Sequence, residues 1–136
     1  VIEYMSSELL TTHVGGCHCG AVCFEADAAI DSVVQVCNCS ICTMTCYVHL
    51  IVPKSKFRLL KGRESLSTYT FNTGVAQHLF CSKCGIKSFY VPRSNPDGVS
   101  VNVNCIQSDT TSQLRRENFD GQNWEKHAHS LKHLSA

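Results

Sequence analysis

The chain has 136 residues, of which 43% are hydrophobic, and a formal net charge of +1. That length predicts a single domain with a modest core, and the near-neutral balance removes any electrostatic case for nucleic acid or an anionic membrane as partner. The longest apolar runs fall far short of a bilayer span, and the opening Val1-Ile2-Glu3-Tyr4-Met5 shows neither the basic region nor the apolar stretch of a signal peptide.

Residues 1–13 read as a lead-in, and 14–136 as one domain. The first strand candidate runs from Ala21 to Ala28, where Val22, Phe24 and Ala26 alternate with their neighbours. Ser32–Val36 is a β-branched run, and Tyr47–Val52 is a strand closed by Pro53. Between them Ser40 is placed to cap a short helical turn through Cys46. Phe57–Leu60, Ser65–Phe71 and Ala76–Phe80 follow, separated by turns at Gly62 and Gly74. Ile86–Val91 and Val99–Val103 complete the strands, with the polar loop Pro92-Arg93-Ser94-Asn95-Pro96-Asp97-Gly98 between them. Gln122–Leu134 reads as a terminal helix anchored by Trp124. Short strands punctuated by turns predict a mainly β fold of small sheets that metal holds together.

The metal signal lies in three cysteine clusters: Cys17-His18-Cys19, Cys37-Asn38-Cys39-Ser40-Ile41-Cys42 and Cys81-Ser82-Lys83-Cys84. Pairs one residue apart are awkward for disulfides and common in zinc knuckles, so the ten cysteines point to zinc in a reducing compartment, cytosol or nucleus. Cys17 and Cys19 with Cys81 and Cys84 make a closed four-thiolate set, which is structural because no position is left for chemistry. Gly16, Gly20 and Gly85 suit the tight bends of such knuckles.

Cys37, Cys39 and Cys42 supply three ligands, which leaves a fourth position open. Three thiolates on Zn²⁺ carry a net negative charge and make a poor Lewis acid. Such a centre is better suited to holding an incoming thiol as thiolate than to hydrolysis. Cys46 stands four residues after Cys42 on the same predicted helical face. It either closes the site as a fourth, structural ligand or remains a free thiol beside it.

In their order along the chain these motifs resemble the glutathione-dependent formaldehyde-activating enzyme family, in particular its animal branch typified by centromere protein V. The resemblance rests on Gly15-Gly16-Cys17-His18-Cys19-Gly20-Ala21-Val22, Cys37-Asn38-Cys39-Ser40-Ile41-Cys42, His49-Leu50-Ile51-Val52-Pro53 and Leu59-Leu60-Lys61-Gly62. It continues through Thr68-Tyr69-Thr70-Phe71-Asn72-Thr73, Phe80-Cys81-Ser82-Lys83-Cys84-Gly85, Ser88-Phe89-Tyr90 and Pro92-Arg93-Ser94-Asn95-Pro96. It implies an Mss4-like fold of two small antiparallel sheets leaning together. It also implies two zinc ions per chain: a structural one on Cys17, Cys19, Cys81 and Cys84, and a catalytic one on Cys37, Cys39 and Cys42. The implied activity is the carbon–sulfur lyase reaction in reverse, joining formaldehyde to glutathione as S-hydroxymethylglutathione. The alternative is a non-catalytic zinc-stabilised scaffold of the centromere protein V type.

The remaining candidates read as structural. His18 points outward from its knuckle, and His49 and His78 are packing or surface positions on strands, with approach to the open zinc as acid or base as the alternative. Cys105 is a packed thiol, and Cys23 is packed or merely exposed. Phe71 and Tyr90 belong to the core, with lining a cleft as the alternative, and the Arg93–Asp97 loop is solvated, with a pocket lip as the alternative.

Overall fold

The computed structural model describes residues 9–123 and 128–135. Strand β1 (Leu10–Gly16) pairs antiparallel with β2 (Cys23–Ala29) along its whole length, from Leu10 opposite Ala29 to Gly16 opposite Cys23. The other edge of β2 carries β5 (Phe57–Lys61), with a bulge between Cys23 and Phe24. The alternation in β2 decides its facing. Phe24, Ala26 and Ala28 are buried, and the residues between them are half-exposed.

The larger sheet has the order β10–β3–β4–β9–β8, built from Arg115–Phe119, Val33–Cys37, Val48–Pro53, Gly98–Asn102 and Phe89–Tyr90. Its pairs are antiparallel except β10 with β3, which run parallel from Arg115 opposite Val33 to Phe119 opposite Cys37. A third element is the hairpin of β6 (Leu66–Tyr69) and β7 (His78–Cys81), tied to the larger sheet by a bridge between Gln77 and Val91. The expectation of a mainly β chain of small sheets holds. Three sheets replace two, and one pair is parallel.

The core lies between the first sheet and the larger one. Phe24, Phe57 and Phe89 form an aromatic triad with ring centroids 4.7–6.2 Å apart. Val34, Leu50, Val52, Val99 and Val101 pack in the same cluster. Each such side chain contributes about 1.5–3 kcal/mol on burial. Every residue of β9, and every residue of β4 but Pro53, is buried, because both of their faces are covered.

Two strands escape a reading by pattern. In β1, Leu-Thr-Thr-His-Val-Gly-Gly carries polar residues and a glycine pair, so residues 10–13 do not belong to a lead-in but form half of a strand. In β10, Arg-Arg-Glu-Asn-Phe is an exposed edge strand with no buried face to impose alternation. The helix α1 (Ser40–Thr45) matches expectation, except that its N-cap is Cys39 and no side chain caps it. The C-terminal helix is a 3₁₀ segment, Ala128–Ser135, packed on β4. Trp124, the expected anchor, lies outside the described residues.

Candidate metal centres and cavity

The end of β1 and the hairpin strand β7 deliver the first cluster. The sulfurs of Cys17, Cys19, Cys81 and Cys84 all lie within 4.8 Å of one another. Cys17 and Cys19 Sγ are 3.6 Å apart, and Cys19 and Cys81 Sγ are 3.7 Å apart. Two backbone amides donate into the set, Val22 N to Cys17 Sγ at 3.3 Å and Lys83 N to Cys81 Sγ at 3.4 Å. Gly20 and Gly85, at φ 82° and 79°, make the left-handed turns directly after Cys19 and Cys84. His18 is exposed between its two cysteines and outside the group. Four soft donors with amide hydrogen bonds fit zinc, and the set joins the first sheet to the hairpin.

The second cluster sits where β3 ends and α1 begins. Cys37 closes β3, Cys39 caps α1, and Cys42 lies buried on its inner face. Cys37, Cys42 and His49 place their ligand atoms within 4.8 Å of one another, so His49 stands in this group where the sequence placed Cys39, which lies outside it. The Cys39 thiol interacts with those of Cys37 and Cys42, which hold its pKa down to about 2, while contact with Cys37 and Cys39 pushes the Cys42 thiol far up. Thiols in contact resist ionising together, and a cation relieves that; the soft donors Cys37 and Cys42 with the His49 imidazole suit zinc.

His49 is the ligand candidate that pattern reading missed. It lies on β4 opposite Gln35 and Asn102, and an apolar run of strand residues surrounds it. Its Nε2 stands 3.0 Å from Cys42 Sγ, and its Nδ1 stands 2.9 Å from Ser100 Oγ. Burial, then the Lys87 charge, lowers its pKa to about 3, so the imidazole is neutral and fit to coordinate or to donate to sulfur. The available signal was the Cys42–His49 spacing, which acquires meaning only once β4 folds back on β3.

Cys46 does not join this cluster. As the C-cap of α1 it takes a left-handed conformation, φ 53°, so the chain leaves the helix before Cys46 can share a face with Cys42. Its exposed thiol faces Thr43 O at 4.0 Å. Cys23 and Cys105 lie outside both clusters. The Cys23 thiol meets Gly20 O at 3.6 Å, and burial raises Cys105 to about 11.

The second cluster opens onto a cavity of about 630 Å³, and no residue of the first cluster lines it. Gly121 completes the floor, because a Cβ there would overlap the Cys37 sulfur. Phe71, His78 and Tyr90 line it; Tyr90 is also buried in the smaller core cluster, as expected, whereas Phe71 is exposed. Arg93 and Ser94 line it too, so the loop serves as a pocket lip. No aspartate or glutamate among the described residues lines it.

The sequence profile of the glutathione-dependent formaldehyde-activating enzyme family matches residues 12–124. The chain belongs to this family. A crystal structure of a Rhodobacter sphaeroides protein is similar, with a TM-score of 0.66 and 31% identity over 76% of this chain and 99% of the other. The family match spans both cysteine clusters and nearly all of the cavity wall, and the Ala128–Ser135 segment lies beyond it.

Behind the cavity lies a second group that pattern reading did not single out. Lys87 is buried, with Nζ 2.7 Å from His78 Nδ1 and 3.9 Å from the Tyr90 ring centroid. Burial lowers its pKa to about 8, against the pull of Cys42, Cys39 and Cys37. No helix among the described residues is long and apolar enough to cross a membrane.

Proposed function

We propose that the chain forms a carbon–sulfur bond between a glutathione-like thiol and a small aldehyde such as formaldehyde, as a member of a family named for that chemistry. The observation that carries this reading is the asymmetry of the two clusters: Cys37, Cys39 and Cys42 floor a cavity, whereas Cys17, Cys19, Cys81 and Cys84 do not. The first set is then a structural zinc site, and the second the working one. Zinc held by Cys37, Cys39 and Cys42 would supply the positive charge that keeps a substrate thiol ionised near neutral pH. The cavity volume lies in the range of small-molecule sites. A wall that contains Arg93 and, among the described residues, no carboxylate suits the two carboxylates of glutathione. The thiolate sulfur attacks the aldehyde carbon, and the oxygen takes up a proton to give the hydroxymethyl thioether. The adduct also forms unaided, so only a small lowering of the barrier is required.

A second reading rests on His49. With Nε2 beside Cys42 and within 4.8 Å of the Cys37 sulfur, it is placed to be a protein ligand of the same ion, and a Cys39 sulfur drawn in by the metal would complete a Cys₃His set. A site closed in that way is structural, and the domain would be a zinc-stabilised scaffold of the centromere protein V type.

Cobalt substitution followed by a glutathione titration separates the two. A visible spectrum that changes to saturation, and whose response is lost in Cys37→Ser, is expected for a site that accepts a thiol. Two cobalt ions with spectra indifferent to thiol would establish the closed site and overturn the enzymatic reading.

A further inference from the structure

His78 is held by two aromatic rings and a lysine. It lies between Phe71 and Tyr90, stacked on both, with ring centroids 5.2 and 4.9 Å away and interplanar angles of 20° and 13°. Its Nδ1 faces the Lys87 ammonium at 2.7 Å. An ammonium offers only donors, so Nδ1 must accept and the ring proton must sit on Nε2. That Nε2 is buried and finds no hydrogen-bond partner among the described residues, although the ring is only 5% exposed. The residue lines the same cavity that Cys37, Cys39 and Cys42 floor. Leaving a buried donor unsatisfied is unfavourable, so an orphan on a residue that lines a cavity points to a ligand atom that meets it when the ring shifts into reach.

We propose that His78 is the residue that receives the aldehyde oxygen, donating its Nε2–H, and that Lys87 is a positioning residue that fixes the tautomer. This rests on the carbon–sulfur bond-forming reading. As the thiolate sulfur attacks, the C–S bond forms and the carbonyl π pair moves to oxygen. The growing negative charge accepts the hydrogen bond from Nε2–H. Solvent then supplies one proton to the alkoxide, matching the one the thiol released when it ionised. Donors fixed in advance at the atom where charge develops lower a barrier without reorganising. The two stacked rings and Lys87 provide that fixing. Burial, then the nearby ammonium, lowers the His78 pKa to about 4, which keeps the ring neutral at working pH. Lys87 in turn is held over Tyr90 and Tyr47, at 3.9 and 4.8 Å from their centroids.

The test uses the zinc-replete full chain, with exchange of ¹³C-formaldehyde into glutathione followed by NMR and glutathione affinity measured on the same samples. His78→Phe keeps a planar ring for stacking and removes the donor. It should bind glutathione as the wild type does and slow exchange about 10- to 100-fold. Lys87→Met should also keep glutathione affinity while slowing exchange, and ¹⁵N NMR should show a mixture of tautomers at His78, where the wild type shows the Nε2–H form alone. Wild-type exchange in His78→Phe, or a wild-type ring protonated on Nδ1, would overturn the assignment. If His78→Phe fails to fold, the wild-type tautomer and Lys87→Met decide it. A wild-type chain that does not accelerate exchange would refute the bond-forming reading itself, and this assignment with it.

Discussion

Gly121→Ala tests the geometry of the second cluster with a single methyl group. Gly121 is buried and its φ lies outside the left-handed region, so alanine brings no backbone strain. The new Cβ would overlap the Cys37 sulfur and stand 3.1 Å from Cys39 Cβ. The turn cannot simply withdraw, because Asn38 pins it. Gln122 N donates to Asn38 Oδ1 at 2.9 Å, Asn38 Nδ2 donates to Asp120 Oδ1 at 3.1 Å, and Gln122 Nε2 donates to Asn38 O at 3.3 Å. Either the sulfur swings out of the cluster or these bonds break. Overpacking of this kind costs about 1–3 kcal/mol. At 1.4 kcal/mol per decade, zinc should bind the second site about 5- to 140-fold more weakly. The Cys17/Cys19/Cys81/Cys84 site, which Gly121 does not touch, should be unchanged. Competition against a metallochromic chelator resolves the two ions as separate phases. Two unaltered zinc affinities in a folded Gly121→Ala protein would refute the placement of Cys37 at the metal.

Cys81→Ser should unfold the domain, because a structural zinc contributes about 10–16 kcal/mol of apparent binding free energy, as much as a small domain's whole stability; circular dichroism of the purified variant checks this, and a native spectrum would contradict it. Cys37→Ser should retain the fold and lose thiol-dependent chemistry, so a melting temperature near wild type with no formaldehyde exchange is the expected pair of results. Cys46→Gly should leave both metals in place and raise stability by up to about 1 kcal/mol, since the left-handed C-cap at φ 53° disfavours any side chain; loss of a zinc ion would return Cys46 to the ligand set. The buried His78 has a pKa of about 4 against an ordinary 6.5. Between those values the unfolded chain binds the extra proton, so its contribution to stability is intact above pH 6.5 and is lost as pH falls toward 4. Thermal melts at pH 7 and 5 should therefore show a smaller drop for His78→Phe than for wild type.

Much of the architecture was legible because its causes are local. The alternation of Phe24 and Ala26 marked one face of β2, and Pro53 marked the end of β4. Cysteine spacing marked Cys17/Cys19 and Cys81/Cys84 as candidate knuckles, since knuckles form from residues close in sequence, and the fold brings the two pairs together. Strand β10 was hidden because an exposed edge strand that gains its register from a parallel neighbour carries no pattern of its own. Cys46 misled for a local reason: periodicity places it on the face of Cys42, but the chain turns left-handed at that residue.

The cluster at the cavity was legible only in part. Cys37, Cys39 and Cys42 announced themselves as a triplet, yet nothing in the order of residues shows that His49, Ser100, His78 and Lys87 converge on one region. Antiparallel pairing of β3 with β4 brings His49 to Cys42, and pairing of β4 with β9 brings Ser100 behind it. The bridge between Gln77 and Val91 carries His78 to Tyr90, and Lys87 reaches His78 Nδ1 from the neighbouring loop. Sequence determined which thiols can bind metal, because a ligand's chemistry belongs to the residue. Tertiary structure decided which set meets a cavity and which neutral imidazole faces it, because burial, tautomer and proximity belong to the packing of strands distant along the chain.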